Sequence, residues 1–466
     1  MNISSFIKRY TLPLFVIAII SRGIEEINFI YYTVPFFLIL FIIVALKEIN
    51  YREIRFAYLI KWNKDYSDST FPLSLLLLVL VTSAWYILSA LWSDYPIVSL
   101  ERGLYFGLLA SGCISGGYLW MKESGKNLFD YLLPANIIII ALSIFSLITN
   151  IPGDSWTGGH GKGFMGFFGH QNLLGSLILF TVPSVFSKLW RPVNGDQSMV
   201  KRKEIRVKSP LTNNYLSMTT YFLLLASNLL ILALTYSRAS WLSLGAGFLT
   251  FLILIKNWKI LIISFSLFTF IFILILSFPA LNKAFNKILL KDFNTVLESR
   301  LLLWEPSFEA AKIGGLVGLG YGISEPNKIV PGTGSYYEGE RYVREKGNSV
   351  LALIEESGII GLIFFILPIG YIFTKNKKLR TTSSKPGTSN FEQSISYNHF
   401  VTNAFFIAIL LTFLIHSQFE AWMVGVGSVQ LPLFLVFIGV TIYISNNSTI
   451  KGLKTLSIKQ SVAEIG

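Results

Sequence analysis

The chain has 466 residues, of which 53% are hydrophobic and 14% charged, against about 25% charged in an ordinary soluble protein. Apolar residues arrive in runs long enough to cross a bilayer, which takes about 20 residues per helix, so the chain reads as an all-α polytopic membrane protein and not as a string of soluble domains. A single cysteine, Cys113, excludes an internal disulfide, a CxxC redox pair and a thiolate zinc cluster.

In chain order, the apolar windows predict twelve helices, over 10–22, 29–46, 72–92, 97–120, 128–149, 170–187, 216–235, 239–255, 259–278, 350–373, 401–415 and 428–446. The first window, following Lys8 and Arg9, has the outline of a signal peptide. No small-residue cleavage site follows, and the chain runs on into Arg22, Glu25 and Glu26, so it is read as a retained helix. With the N-terminus inside, the loops assigned to the cytoplasm hold 26 of the 39 Lys and Arg residues, and the alternation holds at every loop with basic residues to count. Both termini are therefore expected in the cytoplasm. The net charge of +13 is mostly topology, and nucleic acid is not expected as a partner.

Three segments follow: windows one to nine over 1–278, one large external loop between helices nine and ten over 279–349, and the last three windows with a cytoplasmic tail over 350–466. Within the loop, Phe285, Ile288 and Leu289 share one face of a predicted helix, while Lys283, Lys287 and Lys291 repeat every four residues on another. That pattern suits a helix lying on a membrane surface with its lysines at anionic headgroups. A second helix is predicted from Glu298 to about Lys312, with Arg300 and Trp304 one turn apart, followed by a connection containing Gly314, Gly315, Gly318, Gly320 and Gly322. Ahead of window six, Gly153 to Gly169 packs seven glycines into seventeen positions, a composition that lets backbone N–H groups approach an anion. Gly161-Lys162 lacks the remaining Walker residues, and this loop faces away from the cytoplasmic ATP pool, so a phosphate bound here belongs to a lipid.

Several strings resemble the O-antigen ligase and polymerase superfamily of bacterial envelope glycosyltransferases. They are Gly166-Phe-Phe-Gly-His-Gln-Asn172, Thr235-Tyr-Ser-Arg238-Ala-Ser-Trp241, Ser299-Arg300 with Trp304, Gly347-Asn348-Ser349 running into Glu355-Glu356-Ser-Gly358-Ile-Ile-Gly361, and His416-Ser-Gln-Phe-Glu420-Ala-Trp422. Their order agrees with that family over about residues 70 to 445, as do twelve spans and a large external loop. The resemblance implies a GT-C-like membrane fold in the bacterial cytoplasmic (inner) membrane. It implies a glycosyltransferase needing neither cofactor nor metal, which takes a glycan from an undecaprenyl-pyrophosphate-linked donor and passes it to an acceptor, a lipid A core or another glycan, outside the cytoplasm. Arg238 and Arg300 match arginines that would clamp the pyrophosphate, and Asn348 matches a polar contact. The chain also lacks an Asp-x-Asp pair for a metal-held nucleotide sugar, and placed arginines stabilise a departing pyrophosphate without a metal. The chain departs from the family at Gly347, where a histidine commonly precedes the Asn-Ser.

The remaining polar residues each have two readings. His170 is either a general base or pyrophosphate donor, or a residue bonded to backbone at the start of window six. His416 and Glu420, four apart, form either a base with its orienting carboxylate or a local ion pair. Glu355 and Glu356 sit near the top of window ten, where an ionisable group is a functional candidate by default; the alternative is packing against an arginine. Glu101 and Arg102 near the outer end of window four read as an intramembrane ion pair. Arg238 and Arg300, without the resemblance, read as a snorkelling anchor and a solvated helix residue. The catalytic candidates are thus His170, His416, Glu420 and Asn348, with Arg238 and Arg300 for pyrophosphate. Two other functions compete: a transporter or flippase of lipid-linked glycans, typical of twelve spans, and a non-catalytic relative that only binds them.

Overall fold

The computed structural model of the chain describes residues 3–22, 24, 30, 32–48, 73–124, 128–151, 156, 163–190, 212–290, 298–324, 336–338, 341–343, 346–382, 390–425 and 428–445. His160, Lys162 and most of the first glycine loop, as well as Lys291, fall outside them, as does the side chain of Lys287. Among the described residues the fold is helical apart from one short antiparallel hairpin, Tyr336–Glu338 with Arg341–Val343. We label the helices α1 (Ile3–Ser21), α2 (Val34–Glu48), α3 (Leu73–Leu88), α4 (Pro96–Ser124), α5 (Leu128–Thr149), α6 (Gln171–Leu189), α7 (Thr212–Leu234), α8 (Arg238–Leu254), α9 (Trp258–Ser277), α10 (Pro279–Leu290), α11 (Glu298–Gly314), α12 (Ser349–Thr382) and α13 (Asn390–His416), and α14 (Gln430–Ser445).

Among the described residues, stretches of α4, α5, α6, α9 and α12 are long and apolar enough to cross a bilayer, and seven shorter apolar helices fall in the remaining predicted windows. The chain is a multi-pass membrane protein. The loop's two predicted helices are present as α10 and α11, and α11 begins at the expected Glu298.

The helices form two compact units, one of residues 1–22, 29–125 and 242–466, the other of 23–28 and 126–241. In the larger unit α4 is the centrepiece because its glycines let neighbours come close. A Cβ at Gly103 would lie 2.9 Å from the backbone of Ile87 on α3, and one at Gly112 would lie 2.9 Å from the Cα of Leu38 on α2. Small residues at such crossings are how membrane helices gain packing without a hydrophobic driving force. α9 stands apart, with no buried residue, so its all-round apolar surface is a lipid-facing one. In the smaller unit, α5, α6 and α7 are pinned by a buried amide pair: Asn136 and Asn228 exchange hydrogen bonds of 2.8 and 3.0 Å, and Asn136 also donates to Thr181 Oγ1 at 2.8 Å.

The feature that shapes the site is a break in α12. Gly358 sits at φ 72°, ψ 178°, a region essentially reserved for glycine, and it interrupts the helical ladder just below Glu355 and Glu356. Backbone groups freed in an apolar segment must find partners, and here the loop after α11 provides them. Leu319 N–H donates to Glu355 O at 2.9 Å and Gly320 N–H to Glu356 O at 3.0 Å, while Ile359 and Ile360 N–H donate to Gly315 O and Leu316 O at 3.1 and 3.2 Å. Trp85 Nε1 takes the Ser357 carbonyl at 2.8 Å. The close fit requires glycine on the loop side too: Gly315, Gly318, Gly320 and Gly322 all have positive φ.

Candidate active site

In the larger unit, the top of α12 is fastened to the turn that follows α13. Asn348 caps the helix, its Oδ1 accepting from Val350 N at 2.8 Å and Leu351 N at 3.0 Å, and its Nδ2 donates to Gln418 O at 3.0 Å. Ser349 N–H donates to Ser417 O at 2.8 Å, and Ser349 Oγ donates to Glu420 O at 2.8 Å while accepting from Met423 N at 3.2 Å. The turn so held presents Glu420 to Arg300 of α11, whose Nη2 lies 3.2 Å from Glu420 Oε1 and whose Nη1 donates to Phe419 O at 2.5 Å. One turn along α11, Trp304 Nε1 donates to Gly347 O at 3.0 Å. Arg300, Asn348 and Glu420 are thereby brought together.

His416 is the last residue of α13. The chain turns after it, so Glu420 does not continue on the same helical face; its carboxylate is paired with Arg300 and also acts electrostatically on His416. His416 is buried, and its Nδ1 accepts from Trp422 Nε1 at 3.1 Å, which leaves the proton of the neutral ring on Nε2.

Beside Glu420 lies a cavity of about 330 Å³, whose polar lining includes Arg102, Lys346, Glu356, Glu420 and Gln430 next to Trp422 and Gly347. Two buried ion-pair contacts shape one wall: Lys346 Nζ stands 2.5 Å from Glu356 Oε1 and 3.5 Å from Glu355 Oε2, with all three side chains at most 4% exposed. Glu356 Oε2 accepts from Gly322 N at 2.7 Å, and Arg102 Nη1 donates to Gly322 O at 2.9 Å. Glu355 and Glu356 thus meet Lys346, and Arg102, which reaches the glycine loop, also acts electrostatically on Glu356. Sequence reasoning singled out neither Lys346 nor the cavity. The available signal was Lys346 itself, a cation next to Gly347-Asn-Ser and ten residues before Glu356.

Gly347 is also tightly placed. A Cβ there would lie 2.7 Å from the Cβ of Leu303 on α11, so a histidine at this position requires α11 to give way.

The other two candidates belong to the smaller unit. His170 is the exposed N-cap of α6, its Nδ1 accepting from Asn172 N at 3.1 Å. Arg238 opens α8 behind a buried knot of hydroxyls, in which Ser237 Oγ and Ser240 Oγ lie 2.9 Å apart and Ser237 N–H donates to Thr235 Oγ1 at 3.2 Å. α6 approaches this knot closely: a Cβ on Gly175 would lie 2.7 Å from Ser240 Oγ.

Residues 221–366, from within α7 to the middle of α12, match the O-antigen ligase family. The match spans about a third of the chain. The O-antigen ligase match contains Arg238, Arg300, Lys346, Asn348, Glu355 and Glu356, whereas His170, His416, Glu420 and Arg102 lie outside it. No curated protein matches the chain.

Proposed function

We propose that this O-antigen ligase-type protein is a glycosyltransferase with twelve spans and a GT-C-like fold, both termini in the cytoplasm of a bacterium and its active face outside the inner membrane. It transfers a glycan from undecaprenyl pyrophosphate to an acceptor sugar in envelope polysaccharide synthesis, as a ligase or a polymerase, without a metal or cofactor. The observation that carries this reading is Arg300 held by Glu420 at the edge of a cavity lined by charges of both signs. A guanidinium already oriented by a carboxylate is prepared to exchange that partner for a pyrophosphate, with which it forms the same charge-assisted bonds. Negative charge grows on the pyrophosphate as the glycosidic bond breaks, so a prepositioned cation contributes most in the transition state. The family resemblance assigns Arg238 the same partner. Asn348 serves by fixing the turn that carries Glu420, and His416 by holding Trp422 at the cavity wall.

The break in α12 is the one observation that favours a transporter, since discontinuous helices form binding sites in transporters. Here the freed backbone groups are satisfied by the Gly315–Gly320 loop and by Trp85, which supports a structural break better than an ion site.

The test uses purified protein in nanodiscs with lipid-linked glycan from native membranes and EDTA. Wild type is expected to release undecaprenyl pyrophosphate and lengthen or transfer the glycan, and Arg300→Ala to lower the rate by about 10²–10³. Equal rates for the two proteins would overturn the assignment of Arg300. Release without a new glycosidic product would point away from a transferase.

A further inference from the structure

The reaction proposed above needs a group to take the proton of the attacking hydroxyl, and we infer that Glu356 is that group, with Lys346 and Gly322 as its positioning residues. The inference rests on the glycosyl-transfer reading. Two carboxylates line the cavity, Glu356 and Glu420. Glu420 is paired with Arg300, which it orients for the pyrophosphate. His416 is outside the cavity lining and its Nδ1 is taken by Trp422. Arg102 and Lys346 are cations, and no other ionisable side chain lines the cavity among the described residues.

Glu356 has the geometry for the task. One oxygen is held by Lys346 Nζ at 2.5 Å and the other by Gly322 N–H at 2.7 Å. A carboxylate has about four lone-pair positions, so each oxygen retains a site for an incoming hydroxyl. The anchoring N–H is available because Gly322 has φ +86°, and a Cβ there would overlap the side chain of Arg102. The second acid, Glu355, gives the arrangement its logic. It lies 3.5 Å from the same ammonium, so when Glu356 becomes neutral, Lys346 still faces a buried anion. A buried cation left alone would be costly; this one never is.

In the step itself, the acceptor hydroxyl gives its proton to Glu356 while its oxygen lone pair forms the new bond to the anomeric carbon. The bond from that carbon to the phosphate oxygen breaks, and its electron pair leaves on undecaprenyl pyrophosphate. Glu356 then returns the proton to water once the product has gone.

The experiment compares wild type and Glu356→Gln in nanodiscs, with lipid-linked glycan from native membranes as donor and acceptor, and with sodium azide as an added nucleophile. Azide carries no proton to remove. Expected is a fall in kcat of about 10²–10⁴ for Glu356→Gln, a KM for the donor within about twofold of wild type, and azide-restored release of undecaprenyl pyrophosphate with a glycosyl azide detected by mass spectrometry. Transfer by Glu356→Gln at the wild-type rate overturns the inference. So does a folded, donor-binding variant that azide fails to rescue, because a purely structural role predicts that result. Glu356→Asp, which keeps the charge beside Lys346 and withdraws the carboxylate by one methylene, covers the case in which the glutamine variant does not fold; its kcat is expected to fall while its melting behaviour stays near wild type, and an unchanged kcat counts against the assignment. If wild type releases no undecaprenyl pyrophosphate, the glycosyl-transfer reading fails and takes this inference with it, an outcome distinct from a fully active Glu356→Gln.

Discussion

Replacing Lys346 by methionine tests the buried charge cluster directly. The ammonium stands between two carboxylates that are 0% and 4% exposed, at 3.5 and 2.5 Å, and methionine retains most of its volume, so packing changes little and charge changes by one unit. Without it, Glu355 and Glu356 face the same gap as like charges, and Arg102, which donates to the Gly322 carbonyl, is the cation left on that wall. Removing one partner of a buried pair costs about 3–5 kcal/mol, unless one acid takes up a proton and lowers the figure. Glu356→Gln is expected to cost less, about 1–2 kcal/mol, because Lys346 keeps Glu355 and the amide oxygen still accepts a hydrogen bond. The double variant should be more stable than Lys346→Met alone, with a coupling energy of about 1–3 kcal/mol. Chemical unfolding of the detergent-solubilised proteins, followed by tryptophan fluorescence, measures all three. A Lys346→Met protein within about 1 kcal/mol of wild type would refute the idea that this pairing stabilises the fold, since the stated magnitude comes from desolvated partners.

Asn348→Ala removes the cap of α12 and one tie to the turn carrying Glu420. A loss of about 1–2 kcal/mol is expected in the same unfolding assay, with donor KM rising because Arg300 loses its fixed neighbour; an unchanged stability would show that the cap is replaced by water. Gly358→Ala places a Cβ against the Leu316 carbonyl at a positive φ. Backbone strain of about 1–3 kcal/mol adds to the overlap, so the protein should lose cooperative unfolding or fail to accumulate in membranes, and a normally stable variant would mean that the break relaxes into a continuous helix.

The apolar architecture was legible because hydropathy is a property of local sequence: each of the twelve windows holds an apolar helix. The amphipathic pattern of Phe285, Ile288 and Leu289 likewise located α10. The break at Gly358 was not legible, since the run from Ile359 onward stays apolar and a lone glycine is tolerated in membrane helices. What creates the break is a loop some forty residues earlier in the chain, filling it with carbonyls and N–H groups. The cavity was hidden for a similar reason, because Arg102, Gly322, Lys346 and Gln430 come from four distant segments and only the fold collects them. The His416–Glu420 relation does not come from a shared helical face, because α13 stops at His416 and the turn after it carries Glu420. Arg300 and Glu420 were each singled out in the sequence, but their pairing across 120 residues was not legible there.

The docking of the glycine loop into α12 also has a mechanical consequence. The piece of that helix from Ser349 to Ser357 is bonded through the carbonyls of Glu355 and Glu356 to Leu319 and Gly320, and the piece beyond the break is bonded through the N–H groups of Ile359 and Ile360 to Gly315 and Leu316. The loop is therefore a splint across Gly358, and a displacement of it moves both pieces of the helix together. A displacement of the loop thus reaches the acids at the cavity wall and the rest of α12 at once.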